Sequence, residues 1–319
     1  MPKNMSIDSQ NTTEDKKQEE QQTSAQTAKR SNLFFRVVSS AVALPLLLAL
    51  IIFSPASLWA AFVGVAAFLG LREWLKMLSP SESGLIHTIS ACIALIPAIG
   101  AYLFLGDTKV LDINEIYYAD ISDAFLLLVL ASMTMWATFL FHSLRRRDIN
   151  HASSAITATL SGSFYVVLGF LVLALFKRDF PMQANAWIFT LMAMTWLSDT
   201  GAYFTGRKFG KHKLAPILSP KKTIEGAIGG LLAAIVAGLG AKYFAFPDLS
   251  IASVVLLAVV SNIFAQTGDL AESLIKRSCK VKDSGKLIPG HGGLLDRVDA
   301  LIFSAPWVYI FATFSVYAY

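Results

Sequence analysis

From Leu33 onward the chain is a series of apolar stretches, each close to the roughly 17–25 residues that a helix needs to cross a bilayer. No other feature limits the fold so strongly. A backbone inside hydrocarbon must satisfy its own N–H and C=O groups, and a single stretch of this length does so as a helix. The stretches fall near 34–53, 56–71, 85–105, 122–143, 153–176, 186–206, 224–246, 249–267 and 299–318. The second is short, and the eighth is expected to run on past the bilayer into the cytosol. The expected fold is therefore all-α, a polytopic membrane protein of about nine transmembrane helices. Composition agrees, since only 15% of residues are charged against about 25% in soluble domains. Pro45 and Pro97 stand inside spans, where proline bends a helix.

Residues 1–31 are rich in Gln, Thr, Ser, Lys and Glu and cannot bury a core. They read as a disordered cytosolic tail and not as a signal peptide, because the apolar run starts too late. Two transmembrane regions follow, 32–180 and 181–319, the second carrying the chemistry. Loop charges set the orientation. Arg72 and Lys76, then Arg145, Arg146 and Arg147, then the basic links after the sixth and eighth spans, alternate with neutral or acidic links. Lys177 and Arg178 are a mild violation. The pattern puts the N-terminus in the cytosol, the C-terminus outside and the basic links at the cytosolic face of the inner (cell) membrane. The net charge of +5 is modest and clustered; without nucleic-acid motifs it suits anionic lipid and nucleotide phosphate. Cys92 and Cys279 offer neither a disulfide framework nor zinc spacing. No repeat or inverted pair of broken spans points to a transporter.

The chemistry gathers between Ser273 and Asp299. Lys276, Arg277, Lys280, Lys282 and Lys286 form a cationic run suited to phosphate oxygens. In Pro289-Gly290-His291-Gly292-Gly293 the glycines permit left-handed backbone and can aim N–H groups at an anion. Asp296 and Asp299, three apart at an expected helix start, share one face. Hard oxygens there suit Mg²⁺, which takes one or two carboxylates and shares the rest with phosphate and water. The alternative for the lysines alone is a solvated juxtamembrane loop.

A second cluster runs from Ser198 to Gly230. Asp199 stands in or at the edge of hydrocarbon, where a carboxylate faces a cavity or a partner. Either it pairs with a lysine of the bundle, or it helps hold a cation or nucleotide. Gly206-Arg207-Lys208-Phe209-Gly210-Lys211 is not a phosphate-binding P-loop, its glycines being too close. Ser219, Lys221, Lys222 and Thr223 precede a helix for which Thr223 is the expected N-cap, and helix N-termini attract anions. Gly226, Gly229 and Gly230 serve either close helix packing or a ligand. Farther on, Asp269, Ser273 and Lys276 fall on one helix face. Asp269 approaches Asp296 and Asp299 if the eighth and ninth spans are neighbours. Glu272 is expected to form a solvated ion pair with Lys276.

The run Ser-x-x-Lys-Arg-x4-Lys-Asp-x-Gly-x3-Pro-Gly-His-Gly-Gly-x-x-Asp-Arg-x-Asp, Ser273 to Asp299, resembles the signature of the CDP-diacylglycerol synthases (phosphatidate cytidylyltransferases). The run from Ser-Asp-Thr-x-Ala-Tyr to Ser-Pro-Lys-Lys-Thr-x-Glu-Gly is similar to the same family, and the two cover the C-terminal third of the chain. The resemblance implies transfer of CMP from CTP to phosphatidate, giving CDP-diacylglycerol and pyrophosphate. The partners are then CTP, phosphatidate and the lipid bilayer, without nucleic acid and with a homodimer left open. The expected cofactor is Mg²⁺ on Asp269 and Asp296, with Asp299 and Asp199 as further ligands or supports, and a second cation left open. Lys221, Lys222, Lys276, Arg277 and Arg297 are expected to clamp phosphates, and His291 either to protonate pyrophosphate or to hydrogen-bond it. Ser219, Thr223, Lys282, Asp283, Gly292 and Gly293 complete the expected substrate site. A CDP-alcohol phosphotransferase is disfavoured, since its Asp-Gly-x2-Ala-Arg run is absent. An anionic-lipid transporter is the rival from another class.

Overall fold

The computed structural model describes residues 38–104, 113–144, 151–288 and 290–317. The tail at 1–31, the Arg145–Arg147 link and Pro289 lie outside the described residues. A helix stands at each expected stretch: α1 (Val38–Phe53), α2 (Ala56–Leu78), α3 (Gly84–Phe104), α4 (Ile113–Leu144) and α5 (Ala152–Asp179). Then come α6 (Ala184–Phe209), α7 (Ile224–Phe244), α8 (Ile251–Ser278) and α9 (Leu295–Tyr317). Six of them, α2, α3, α5, α7, α8 and α9, are long and apolar enough to cross a membrane, and α1 and the Leu128–Leu144 part of α4 are shorter apolar helices. In α6, Asn185, Thr190, Thr195, Ser198 and Asp199 dilute the apolar character.

Several boundaries differ from expectation: α4 begins at Ile113 and not near 122, and α9 at Leu295 and not near 299. The second span does not stop near 71: α2 continues through Arg72, Glu73 and Lys76 to Leu78, because Glu73, Trp74 and Leu75 are buried against other helices. Between α6 and α7 the chain forms a hairpin, β1 (Lys213–Ala215) with β2 (Ser219–Thr223). It is antiparallel, pairing Lys213 with Thr223 and Ala215 with Ser219. Its hydrophilic residues gave no alternating pattern to read.

The most extensive helix contact joins α6 to α7, and α2–α5, α8–α9, α7–α8 and α3–α4 follow. Glycine makes the first one close. A Cβ on Gly201 would lie 2.6 Å from Ala233 Cβ, and one on Gly230 would lie 2.9 Å from Ser198 Oγ. Gly226, Gly229 and Gly230 therefore serve helix packing, as small residues do where helices meet without water. Asn262 donates to Ser198 Oγ at 2.5 Å and Gln266 to Asn262 Oδ1 at 2.6 Å, which satisfies polar atoms buried between α6 and α8.

The charges that broke the loop alternation have internal roles. Lys177 is 7% exposed and donates to Ser54 O at 2.7 Å and Leu50 O at 3.4 Å, the carbonyls at the end of α1. Its ammonium lies 5.6 Å from the Trp59 ring centre. Arg178 donates to Tyr102 O at 2.5 Å, near the end of α3, and pairs with Asp179 at 2.6 Å. Cations at helix C-termini satisfy orphan carbonyls and oppose the helix dipole. Lys177→Met is therefore expected to lower the midpoint of thermal unfolding in detergent by several degrees, the equivalent of about 2 kcal/mol. An unchanged midpoint would show that the contact contributes nothing.

Candidate active site

Two helix faces and two loops build the site. The last turns of α8 carry Asp269, Glu272, Ser273 and Lys276 on one face. Gly268 lets α9 approach that face, since a Cβ there would stand 2.5 Å from Phe303 Cβ and 3.2 Å from Asp299 O. The eighth and ninth spans are thus neighbours, and the first turns of α9 bring Asp296 to Lys276 and Asp299 near Asp269. Lys276 Nζ lies 2.7 Å from Glu272 Oε2 and 2.7 Å from Asp296 Oδ1. The Glu272–Lys276 pair is not solvated as expected: Glu272 is fully buried and Lys276 is 9% exposed. The cause is α9, which covers this face of α8. Glu272 Oε1 has no hydrogen-bond partner among the described residues, and the Asp299 carboxylate lies within hydrogen-bonding reach of Glu272.

The hairpin delivers a second lysine. Thr223 caps α7 as expected, its Oγ1 accepting from Gly226 N at 3.1 Å. That cap fixes Lys222 just ahead of the helix, where its ammonium pairs with Asp269 Oδ2. Asp199, exposed on α6, feels the charges of Asp269, Asp299 and Lys222. Glu225 fastens the chain leading into the hairpin by accepting from Lys211 N at 3.1 Å and His212 N at 3.3 Å. Arg277 donates to Leu218 O at 3.4 Å and Val281 O at 3.2 Å, joining the hairpin turn to the end of α8. Ser219 is half-buried on β2, and Lys221 is exposed.

The glycine loop closes on itself. Ile288 N donates to Gly292 O at 2.9 Å, and His291 N to Ile288 O at 2.9 Å. Gly290 (φ +76°) and Gly292 (φ +91°) are left-handed, which only glycine adopts without strain. Loop N–H groups were expected to face a ligand anion; one of them, Gly293 N, faces Asp296 instead, together with Ser284 N from the preceding segment. Ser284 N and Gly293 N each donate to Asp296 Oδ2 at 2.9 Å, and Ser284 Oγ at 3.1 Å. His291 Nδ1 lies 3.0 Å from Ser39 Oγ and Nε2 3.4 Å from Ser40 Oγ, so α1 reaches this loop. Lys280, Lys282, Asp283, Lys286 and Arg297 are exposed around it.

Sequence reasoning missed two residues here, the buried Glu73 and the half-buried Tyr165, both from the N-terminal transmembrane region. Glu73 of α2 accepts from Leu295 N at 3.1 Å and Ser284 Oγ at 3.3 Å. Tyr165 sits in a π-helical turn of α5, Ser163–Val167. It donates to Gly268 O at 3.3 Å and stacks on Trp74 with ring centres 4.7 Å apart. The available signal for Glu73 was one acidic residue inside a basic link. A tyrosine in an apolar run gives no signal.

The arrangement brings ammonium groups and carboxylates from four helices and a hairpin to one end of the bundle. A model of the cytidylyltransferase family matches residues 34–315. The chain belongs to the cytidylyltransferase family. It is 44% identical over 142 residues to a phosphatidate cytidylyltransferase of Staphylococcus haemolyticus, and 42% and 43% identical over the same length to those of Staphylococcus aureus and Staphylococcus epidermidis. Each match covers 44% of this chain, which spans about half, 53%, of the curated relatives it matches. The family match takes in both motif regions and also α1, α2 and α5, which supply Ser39, Glu73 and Tyr165.

Proposed function

We propose that the protein transfers CMP from CTP to phosphatidate, giving CDP-diacylglycerol and pyrophosphate, at the cytosolic face of the inner membrane. Two lysine–carboxylate pairs, Lys222–Asp269 and Lys276–Asp296, meeting where three helices converge, carry this reading. The relatives' activity supports the choice of substrates.

The chemistry follows from charge. A phosphate monoester is largely dianionic at neutral pH, its second pKa being about 6, so phosphatidate needs little general-base help. Its oxygen attacks the α-phosphorus of CTP, a new P–O bond forms, and the α–β bridge breaks with the electron pair leaving on pyrophosphate. The protein must bring two anions together and hold the leaving group in line. Lys222 and Lys276 are placed to turn from carboxylates to phosphates when substrates arrive. Arg277, Lys221, Lys282 and Arg297 stand around them as outer phosphate contacts, and His291, held by α1, as a hydrogen-bond donor to pyrophosphate.

The residues fit Mg²⁺. Carboxylates outnumber ammonium groups here, and one buried oxygen of Glu272 has no hydrogen-bond partner among the described residues. Among the described residues no three side chains form a ready cation cage, but Mg²⁺ uses one or two carboxylates and completes its shell with phosphate and water. Asp269, Asp296, Asp299 and Asp199 would hold it, and it would neutralise charge on the reacting phosphates. The test is to incubate purified protein with labelled CTP, phosphatidate and Mg²⁺. Label is expected in the lipid phase, with pyrophosphate in water and dependence on both substrates and on the metal. An anionic-lipid transporter would leave all label in water.

Nine spans with the N-terminus in the cytosol and the C-terminus outside complete the proposal; α1, α4 and α6 are then the three spans of lesser length or hydropathy. A cysteine replacing Lys280 in a chain lacking Cys92 and Cys279 is expected to react with a membrane-impermeant thiol reagent only from the cytosolic side. Labelling in intact cells would invert the orientation.

A further inference from the structure

The end of α2 is a hub. Gly70 makes room for the fully buried Leu295 of α9, with a would-be Cβ 3.0 Å from Leu295 Cδ2. Trp74 donates to Ala158 O at 3.1 Å and to Ser161 Oγ at 3.2 Å. Between them Glu73, 9% exposed, turns its carboxylate toward the glycine loop. Its Oε2 accepts from Leu295 N, the first N–H of α9, where a helix has orphan donors and favours negative charge. Ser284 Oγ stands between two carboxylates, 3.3 Å from Glu73 and 3.1 Å from Asp296. Space is cut to this carboxylate. All three atoms nearest to a Cβ on Gly285 belong to Glu73, whereas a Cβ on Gly293 would meet Ser284 Oγ first, and Gly285 N at 2.6 Å, before Glu73 Oε2 at 2.7 Å.

We propose that Glu73 is a positioning residue, holding the Ser284–Leu295 loop against α9 so that Asp296 faces Lys276 in the geometry that transfer requires. The role rests on the cytidylyl-transfer reading above. Glu73 touches no reacting atom. It acts through Ser284 and the start of α9, and the missing side chain at Gly285 leaves room for it. A carboxylate from the first half of the chain thereby supports a site whose other carboxylates come from the second.

The test compares Glu73→Gln, Glu73→Leu, Gly285→Ala and the double variant Glu73→Ala/Gly285→Ala with Glu73→Ala and the wild type. Each is assayed for kcat and for KM of CTP, and each for hydrogen–deuterium exchange of the amides from Ser284 to Leu295. Gln keeps an acceptor for Leu295 N–H and Ser284 Oγ, so its kcat is expected to stay within about tenfold of wild type. Leu removes the acceptor, and Gly285→Ala displaces it while leaving Glu73 in the chain. Both are expected to lower kcat by roughly thirtyfold or more with little change in KM, and to speed exchange in this loop alone. The double variant is expected to be no slower than Glu73→Ala, since the alanine at 285 then meets no carboxylate. Unchanged loop exchange in Glu73→Leu and Gly285→Ala would overturn the proposal, as would Gln losing as much kcat as Leu. If Glu73→Leu does not accumulate, Gly285→Ala carries the test. A wild type without turnover would sink the transferase reading, and the exchange experiment would still decide whether Glu73 holds the loop.

Discussion

Asp296→Asn is expected to slow turnover by about 10²-fold or more and also to lower thermal stability. Its two oxygens do separate things: Oδ1 meets Lys276 at 2.7 Å, and Oδ2 gathers Ser284 N, Ser284 Oγ and Gly293 N. Asparagine can serve one set only. If its oxygen takes the loop donors, its amide N–H groups confront the Lys276 ammonium. Losing a charge where two phosphate-bearing substrates meet costs transition-state stabilisation, and about 2.7 kcal/mol is the equivalent of 10² in rate. The sequence alone suggests that folding is spared, because an unpaired charge near the bilayer disappears. The structure alters that expectation, since the charge is half of a partly buried pair, and such pairs are costly to break. The check is kcat/KM for CTP beside a thermal melt in detergent. A variant keeping more than about a tenth of wild-type turnover would remove Asp296 from metal holding, and that role would pass to Asp269 and Asp299.

The helices were legible because hydrocarbon forces one solution on a long apolar run, and each expected stretch contains a helix. The site's second half was legible because cations, glycines and carboxylates crowd into short motifs, and Thr223 shows its cap by type and place. Three things were hidden for physical reasons. Lys177 and Arg178 read as loop charges because sequence counts a charge without showing which helix end it satisfies. Glu272 read as solvated because burial of an i,i+4 pair depends on a neighbouring helix, here α9. Glu73 was invisible because its partners lie more than 200 positions away, and only the tertiary fold brings α2 to the glycine loop.

Lys276→Met is expected to abolish turnover and to destabilise the protein by about 3 kcal/mol or more. The ammonium is shared by Glu272 and Asp296, and Glu272 is fully buried, its other oxygen having no hydrogen-bond partner among the described residues. Methionine keeps much of the lysine's apolar stem but leaves Glu272 and Asp296 without their shared counter-charge, with Asp299 close to Glu272. Charge in a low-dielectric site without a partner is the costly case. The two consequences can be separated. In Lys276→Met/Glu272→Gln the buried carboxylate is gone too, so most of the lost stability is expected to return. Turnover is not, because no neutral side chain replaces the cation that turns to phosphate. Thermal melts and the labelled-CTP assay on both variants read the two effects independently. If the double variant regains turnover with its stability, Lys276 serves only to neutralise Glu272, and the phosphate contact passes to Lys222 and Arg277.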